Sequence, residues 1–303
     1  MQMCKKVIVL MATFNGEKYI EEQILSIANQ SNVNIEIIVS DDGSTDQTIK
    51  ILKYLSNTIP IMIMEYDANS GSASANFLRM IRDVDISSAD YVALSDQDDI
   101  WCPSKIYDSI NAMGELYSGV SSDLLAFDDL KNKAWYIRKS DRKVDYDHLF
   151  QGGSAGCTYL MRAEFIEILK KQIKHLSKSE LILVSHDWFI YLIARLKGQD
   201  WLLEKNNKIF YRQHSTNVYG DAGFLKGYLK KIKLINSGWY ENSLKINSKF
   251  LNKDTREANI YRIISTPSIF VRLRILPYSL KLRRKKIHSI ILALYIIIFG
   301  FSL

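Results

Sequence analysis

Short apolar runs and helical patterns alternate through the first hundred residues. The run at 7–11 is followed by a stretch, 17–30, in which Ile20, Ile24, Ile27 and Ala28 share one helical face. The run at 35–39 precedes a helix for which Ser44 and Gln47, three apart, spell a capping box. The run at 61–64 leads into a helical pattern over 72–81, and a fourth strand is expected at 91–94. Strand and helix in alternation predict a mostly parallel sheet with helices on its faces, a Rossmann-like α/β half. Such sheets bind ligands outside the carboxyl ends of their strands. Here those ends read Ala12-Thr13-Phe14-Asn15, Ser40-Asp41-Asp42-Gly43-Ser44, Asp67-Ala68-Asn69-Ser70-Gly71 and Ser95-Asp96-Gln97-Asp98-Asp99. All are polar, small or acidic, so one acidic, hydrogen-bonding crevice is expected. No glycine-rich phosphate fingerprint follows the first strand, which argues against dinucleotide and P-loop binding.

Beyond residue 100 the pattern is mixed. Pro103 opens a helix to 113, a strand is expected at 124–127, and Gln151-Gly152-Gly153-Ser154-Ala155-Gly156 is a small-residue loop. Helices are expected over 163–174 and 186–196, and strands at 201–203 and 208–211, ending on Arg212-Gln213-His214. From 221 onward the periodicity is helical and basic.

Charge sharpens that last division. The formal net charge of +7 hides 16 Lys and Arg against three Asp and Glu between residues 226 and 288; residues 1–225 carry 24 against 30. Its last cations, in Lys281-Leu282-Arg283-Arg284-Lys285-Lys286, are directly followed by Ile287-His288-Ser289 and a nearly unbroken apolar tail to Leu303. As a helix this tail would span about 25 Å, slightly short of a bilayer's ~30 Å hydrocarbon core. It reads as an anchor entering from a basic, anionic-lipid-facing surface, the alternative being a helix buried in the protein's own core. The expected divisions are therefore 1–220, a basic helical segment 221–286, and an apolar membrane-associated tail 287–303. Three widely spaced cysteines suggest neither a disulfide framework nor a Cys-rich zinc site. The start, MQMCKKVIVLMATFNG, lacks a small-residue cleavage pattern and is read as a first strand, not a signal peptide.

The acids at 96, 98 and 99 raise a physical question, because like charges packed together repel. A divalent cation would make the cluster favourable: magnesium or manganese prefers carboxylate oxygens, and alternate residues of an extended segment point the same way. A solvated acidic turn is the plainer reading of such a cluster taken alone.

The stretches ATFNGEKYIEEQILSI, VSDDGSTDQT and LSDQDDIWCPSKI, in this order and spacing, resemble the family 2 glycosyltransferases of GT-A fold. The SDQDDIW form is most similar to their rhamnosyltransferase-type bacterial members, and matches at Gly152 to Gly156, Ser185-His186-Asp187-Trp188 and Tyr211-Arg212-Gln213-His214 extend the resemblance over roughly residues 5–220. It implies that Thr13, Asn15, Asp42, Asn69 and Gly71 line the nucleotide, with Asn76 and Arg79 behind them, and that Gly153 and Ser154 border the donor sugar. It further implies that Asp96 bonds the ribose, Asp98 and His214 hold a divalent metal, Asp99 orients the loop, Asp187 is the catalytic base and Trp188 stacks on the acceptor sugar. Each has a plainer alternative: Asp41, Asp42 and Asp187 as helix caps, Arg79 as a surface cation, His214 as a hydrogen-bonding residue, the glycine loop as a tight turn.

The activity so implied is inverting transfer of a sugar, rhamnose by resemblance, from a UDP- or dTDP-sugar to a saccharide or polyprenyl-linked acceptor. Its place would be the cytoplasmic face of the membrane, in surface-polysaccharide synthesis. Two other readings stand beside it. A sugar-phosphate nucleotidyltransferase also uses an α/β sheet and metal-binding acids, but Phe14-Asn15-Gly16-Glu17 lacks the cation its first loop needs. A non-enzymatic basic surface module would bind any polyanion. The apolar tail makes lipid, not nucleic acid, the expected partner of 226–303.

Overall fold

The computed structural model describes residues 4–66, 68–213 and 238–303. In chain order its elements are β1 (Lys5–Thr13), α1 (Ile20–Ala28), β2 (Val33–Asp41), α2 (Thr48–Leu55), β3 (Ile61–Met64), α3 (Ala73–Asp83), β4 (Tyr91–Ser95), β5 (Ile100–Trp101), α4 (Lys105–Met113), β6 (Gly119–Ser122), β7 (Leu124–Asp128), β8 (Lys133–Ile137), β9 (Leu160–Arg162), α5 (Ala163–Ile173), α6 (Lys178–Leu183), α7 (His186–Leu196), β10 (Trp201–Glu204) and β11 (Ile209–Arg212). After the segment 214–237 come α8 (Trp239–Ser248), α9 (Arg256–Ser265), α10 (Ile269–Arg272) and α11 (Lys286–Ile298).

A seven-stranded sheet runs in the order β10-β6-β9-β4-β1-β2-β3, parallel except at β9. Strand β1 sits near its middle and is apolar on both faces, as a doubly covered parallel strand requires. Because side chains alternate along a strand, Ile8 and Leu10 enter one core with α3, α5 and α7, while Val7, Val9 and Met11 enter the other with α1, α2 and α4. Each such buried aliphatic is worth about 1.5–3 kcal/mol, so this strand anchors both layers. A second sheet, β5-β11-β7-β8, lies beside the acidic loop after β4.

The expected strands and helices of the first hundred residues are present, with shifted ends. Strands β5, β6, β8 and β9 and helix α6 were not expected: they are short, and β6, GVSS, carries little apolar pattern. The capping box at Ser44 is not formed. Helix α2 begins only at Thr48, whose backbone N–H and hydroxyl both bond Asp46, and Ser44 is drawn into the strand-end loops instead.

The C-terminal elements build a third core. Leu244, Ile260, Ile264, Ile275, Leu282, Leu292 and Ile296 pack with Leu149, Phe150, Trp188 and Leu192 of the preceding fold. Helix α11 is therefore half-buried: Leu292, Ala293 and Ile296 face inward, whereas Ile287, Ile290, Ile291, Leu294 and Ile298 are exposed. Among the described residues no helix is long and apolar enough to cross a membrane, and α11 packs its inward stripe on the fold as the alternative reading of the tail expects. The expected boundary at 220 and 221 lies outside the described residues.

His148 lies in this third interface, buried, with both ring nitrogens unpartnered and Glu257 4.0 Å away. Burial first, and the charge of Arg195 second, hold its pKa down to about 3. The ring is neutral in the fold and protonates in the unfolded chain below about 6.5, so its contribution is full above that pH and is lost as pH falls towards about 3. Melting curves between pH 7 and 4 should show stability falling by about 1.4 kcal/mol per pH unit from this group, a component absent in His148→Gln. Ile296→Ala should cost about 2–5 kcal/mol in denaturant unfolding if α11 belongs to the core, and nothing if it is an independent tail.

Candidate active site

Strands β1, β2, β3 and β4 are parallel, so their carboxyl ends bring four loops to one edge. The two acids after β2 are divided by geometry. Asp41 accepts from the Thr13 and Ser44 hydroxyls at 2.8 and 2.6 Å and from the Gly43 and Ser44 N–H groups at 3.0 and 2.7 Å, so its oxygens are committed within the loops. Asp42 turns the other way and accepts from the N–H groups of Ser70 and Gly71. Gly43, directly after them, has φ +89°, and a Cβ there would clash with the Asn69 amide, so the third loop rests directly on the second. Asn15 joins the first loop to them: its N–H donates to Ser44 Oγ at 2.7 Å and its Oδ1 accepts from Thr45 N–H at 2.8 Å.

Arg79 is buried behind this wall, with Tyr66 stacked 3.7 Å from its guanidinium. It donates to Ala68 O, Ser40 Oγ and Asn76 Oδ1 at 2.7, 3.1 and 2.9 Å, and its Nη2 is 3.5 Å from Asp42. The surface-cation alternative is thus wrong, and its contacts are with protein groups that shape the Asp42 loop. Thr13 is likewise buried, its hydroxyl spent on Asp41.

The loop after β4 is pinned from two sides. The Gln97 side-chain amide makes a two-point pair with the Phe14 backbone at 2.9 and 3.0 Å, mimicking one rung of a sheet. Opposite it, Arg212 donates from its N–H to Asp99 Oδ1 at 3.2 Å and from Nε to Asp98 O at 3.0 Å, while its guanidinium pairs with Glu22 and Asp129. Asp99 is buried inside, and Asp96 and Asp98 are half-buried at the crevice. Burial, then the charges of Asp98 and Asp187, push the Asp96 carboxyl up to about 7. Gln97 and Arg212 stood in the recognised stretches without a role, because nothing in their spacing tells which backbone they reach.

Two sets of donors are candidates for a metal. Asp96, Asp99 and Cys157 have ligand atoms within 4.8 Å of one another, but Cys157 and Asp99 are buried and burial raises both their pKa values, which suits a protonated internal cluster. The crevice-facing carboxylates fit a hard divalent cation better, since they offer oxygen donors whose mutual repulsion it would relieve. His214, expected to complete that set with Asp98, lies outside the described residues.

Across the crevice, α7 brings Asp187 in its first turn. Its Oδ1 accepts from Trp188 N–H at 2.6 Å and from the Ser185 hydroxyl, whereas Oδ2 makes no hydrogen bond among the described residues. Cap and open oxygen therefore coexist in one carboxylate. Trp188 does not reach the crevice: it is buried, donates to His148 O at 2.8 Å and stacks on Tyr240 with ring centroids 5.3 Å apart. Its expected acceptor role is corrected, since residues 187 and 188 point about 100° apart around a helix of 3.6 residues per turn. Gly153 and Ser154 are also buried, and the Ser154 hydroxyl donates to Ser122 O at 2.6 Å, so this loop can meet a ligand only through its outer backbone and neighbours.

The family model "Glycosyl transferase family 2" matches residues 8–171. The chain is 33% identical over 299 residues to the dTDP-rhamnosyl transferase RfbG of Shigella flexneri, covering 95% of this chain and 99% of that protein. It is 27% identical over 152 residues to the beta-1,3-glucosyltransferase WfgD of Escherichia coli, 49% of this chain and 56% of that one. Among solved structures, S. aureus TarS 1–349 in complex with UDP-GlcNAc superposes with a TM-score of 0.61 at 18% identity over 96% of this chain and 80% of that chain, a likeness of fold. A mannosyltransferase from Pyrobaculum calidifontis, solved with GDP-Man and Mn2+, gives 0.51 at 16% identity over 98% and 86%. The nucleotidyltransferase and non-enzymatic readings fall away: with its strand-end acids, its α7 carboxylate and these relatives, the chain belongs to glycosyl transferase family 2 and is a glycosyltransferase of GT-A fold.

Proposed function

We propose that the protein transfers rhamnose from dTDP-rhamnose, with inversion, to a lipid-linked or growing saccharide at the cytoplasmic face of the membrane. The observation that carries the mechanism is that Asp98 and Asp187 lie close enough to Asp96 for their charges to act on it, while Asp187 Oδ2 makes no hydrogen bond among the described residues. The donor assignment draws on the end-to-end similarity to RfbG. In this reading Asp42, Asn15, Asn69 and Gly71 border the nucleotide, with Arg79 holding Asp42 in place, and Asp96 meets the ribose. Asp98, joined by His214, would hold magnesium or manganese, which when bound draws off the charge of the departing diphosphate. Asp187 Oδ2 takes the proton from the acceptor hydroxyl as that oxygen attacks the anomeric carbon. The bond to dTDP breaks on the opposite face, which inverts the centre.

The membrane enters through α10, α11 and the turn between them. Phe270, Leu273, Leu276, Ile287, Ile290 and Leu294 are exposed, and so are Arg274, Lys285 and Lys286 beside them. An apolar face rimmed by cations suits the interface of an anionic bilayer, where each cation adds roughly 1 kcal/mol.

Asp98→Ala and Asp187→Asn should each lower transfer by at least ~100-fold with unchanged melting temperature, and chelation should abolish turnover until magnesium or manganese is restored. Retained turnover in either folded variant would sink the assignment. dTDP-rhamnose should be preferred over UDP-rhamnose by no more than roughly 10–200-fold, because the two bases differ by one methyl group. Flotation with phosphatidylglycerol vesicles should be lost in Ile290→Glu/Leu294→Glu, which alters only the exposed face of α11; equal flotation would reject the docking surface.

A further inference from the structure

Not every cation of the basic run faces outward. In Lys281-Leu282-Arg283-Arg284-Lys285-Lys286 the side chains of Lys281, Lys285 and Lys286 are exposed, whereas that of Arg284 is only 7% exposed. Its Nη1 donates to Asp147 Oδ2 at 3.0 Å, and its Nη2 donates to the carbonyls of Gly152 and Gly153, each at 2.8 Å. Asp147 is fully buried and also accepts from Arg195 Nη1 at 2.6 Å and Tyr191 OH at 3.1 Å, so it is a fixed post.

The same loop is gripped from its other side. Tyr159 OH accepts from the N–H groups of Gly153 and Ser154 at 2.9 and 3.3 Å and donates to Asp187 O at 3.1 Å. Gly152 lies so close to the first turn of α7 that an added Cβ would meet Trp188 N at 3.2 Å and the Asp187 carbonyl carbon at 3.3 Å. A glycine pair with both carbonyls turned inward has no side chains to hold it, so these two clamps bear directly on where its backbone stands relative to Asp187.

We propose that Arg284 is a positioning residue for transfer: from the C-terminal segment it fixes the Gly152–Gly153 backbone against the turn that carries Asp187. The proposal rests on the reading of that loop as the border of the donor sugar. A planar guanidinium is required, because one group must reach a carboxylate and two carbonyls at once, which an ammonium on a flexible stem cannot do with the same geometry. The cation lies in the run that begins α11, so the elements offered to the membrane and the loop beside the base are mechanically one piece.

The test compares Arg284→Lys, which keeps a charge for Asp147, with Arg284→Ala assayed with and without low-millimolar guanidinium chloride. Melting temperature, dTDP affinity and steady-state transfer are measured on the full chain. The expected result is a kcat at least tenfold below wild type in Arg284→Lys, dTDP affinity within twofold of wild type, and partial recovery of Arg284→Ala by guanidinium. Wild-type kcat in folded Arg284→Lys overturns the inference. So does a loss in Arg284→Ala that follows melting temperature and does not respond to guanidinium, for that is a purely structural role. Wild-type turnover in the same assay reports on the donor reading, while the ratio of variant to wild type reports on Arg284.

Discussion

Three carboxylates of one sign, Asp96, Asp98 and Asp187, share a crevice, and much of the surrounding structure exists to keep them there. Repulsion alone would spread the loop after β4 into solvent. It is opposed by the Gln97 amide paired with the Phe14 backbone on one side and by Arg212 on the other. Burial and neighbouring charge leave Asp96 with a pKa of about 7, a measure of how unfavourable the bare arrangement is. The two cores beneath it, on either face of β1, hold the strand ends from which these loops start.

The acids around the crevice illustrate how identical side chains acquire different tasks from their hydrogen bonds. Asp41 and Asp42 are adjacent in sequence, yet one is consumed by its own loop and the other braces the next loop, with Arg79 behind it. Asp99 is turned inward to the Arg212 backbone, while Asp98 stays at the crevice. Asp187 divides the work between its own two oxygens: one accepts from Ser185 and Trp188 in the first turn of α7, and the other makes no hydrogen bond among the described residues.

The C-terminal elements are part of this design. Their core is shared with Trp188 and Leu192 of α7, the helix that carries Asp187, and Arg284 reaches from them to the glycine loop. The apolar tail divides itself along α11: the inward stripe completes the fold and the outward stripe leaves an apolar surface beside exposed cations. Hydrophobicity alone cannot distinguish such a helix from a membrane span, because both carry apolar residues on every face.

Periodicity was sufficient for the elements that bury a full stripe. Strands β1 to β4 and helices α1, α3, α5 and α7 are legible because a doubly covered parallel strand is a continuous apolar run and a packed helix repeats every three or four residues. The acids at the strand ends were legible for the same reason, since the strand order of such a sheet brings them to one edge. Strands of two to four residues, such as β5 and β6, carry too few positions to show a period. The start of α2 moved because Ser44 had a stronger partner in Asp41, 2.6 Å away, than in a helix end. Trp188 follows Asp187 in sequence, but the helical turn carries it into the core. Chain order alone therefore determined the fold class, the family and the set of acids. Where the Trp188 ring goes and which cation turns inward were decided by contacts far apart in the chain, 40 positions from Trp188 to His148 and 131 from Arg284 to Gly153, and the packing of the third core chose which face of the tail meets solvent; no local pattern encodes those contacts.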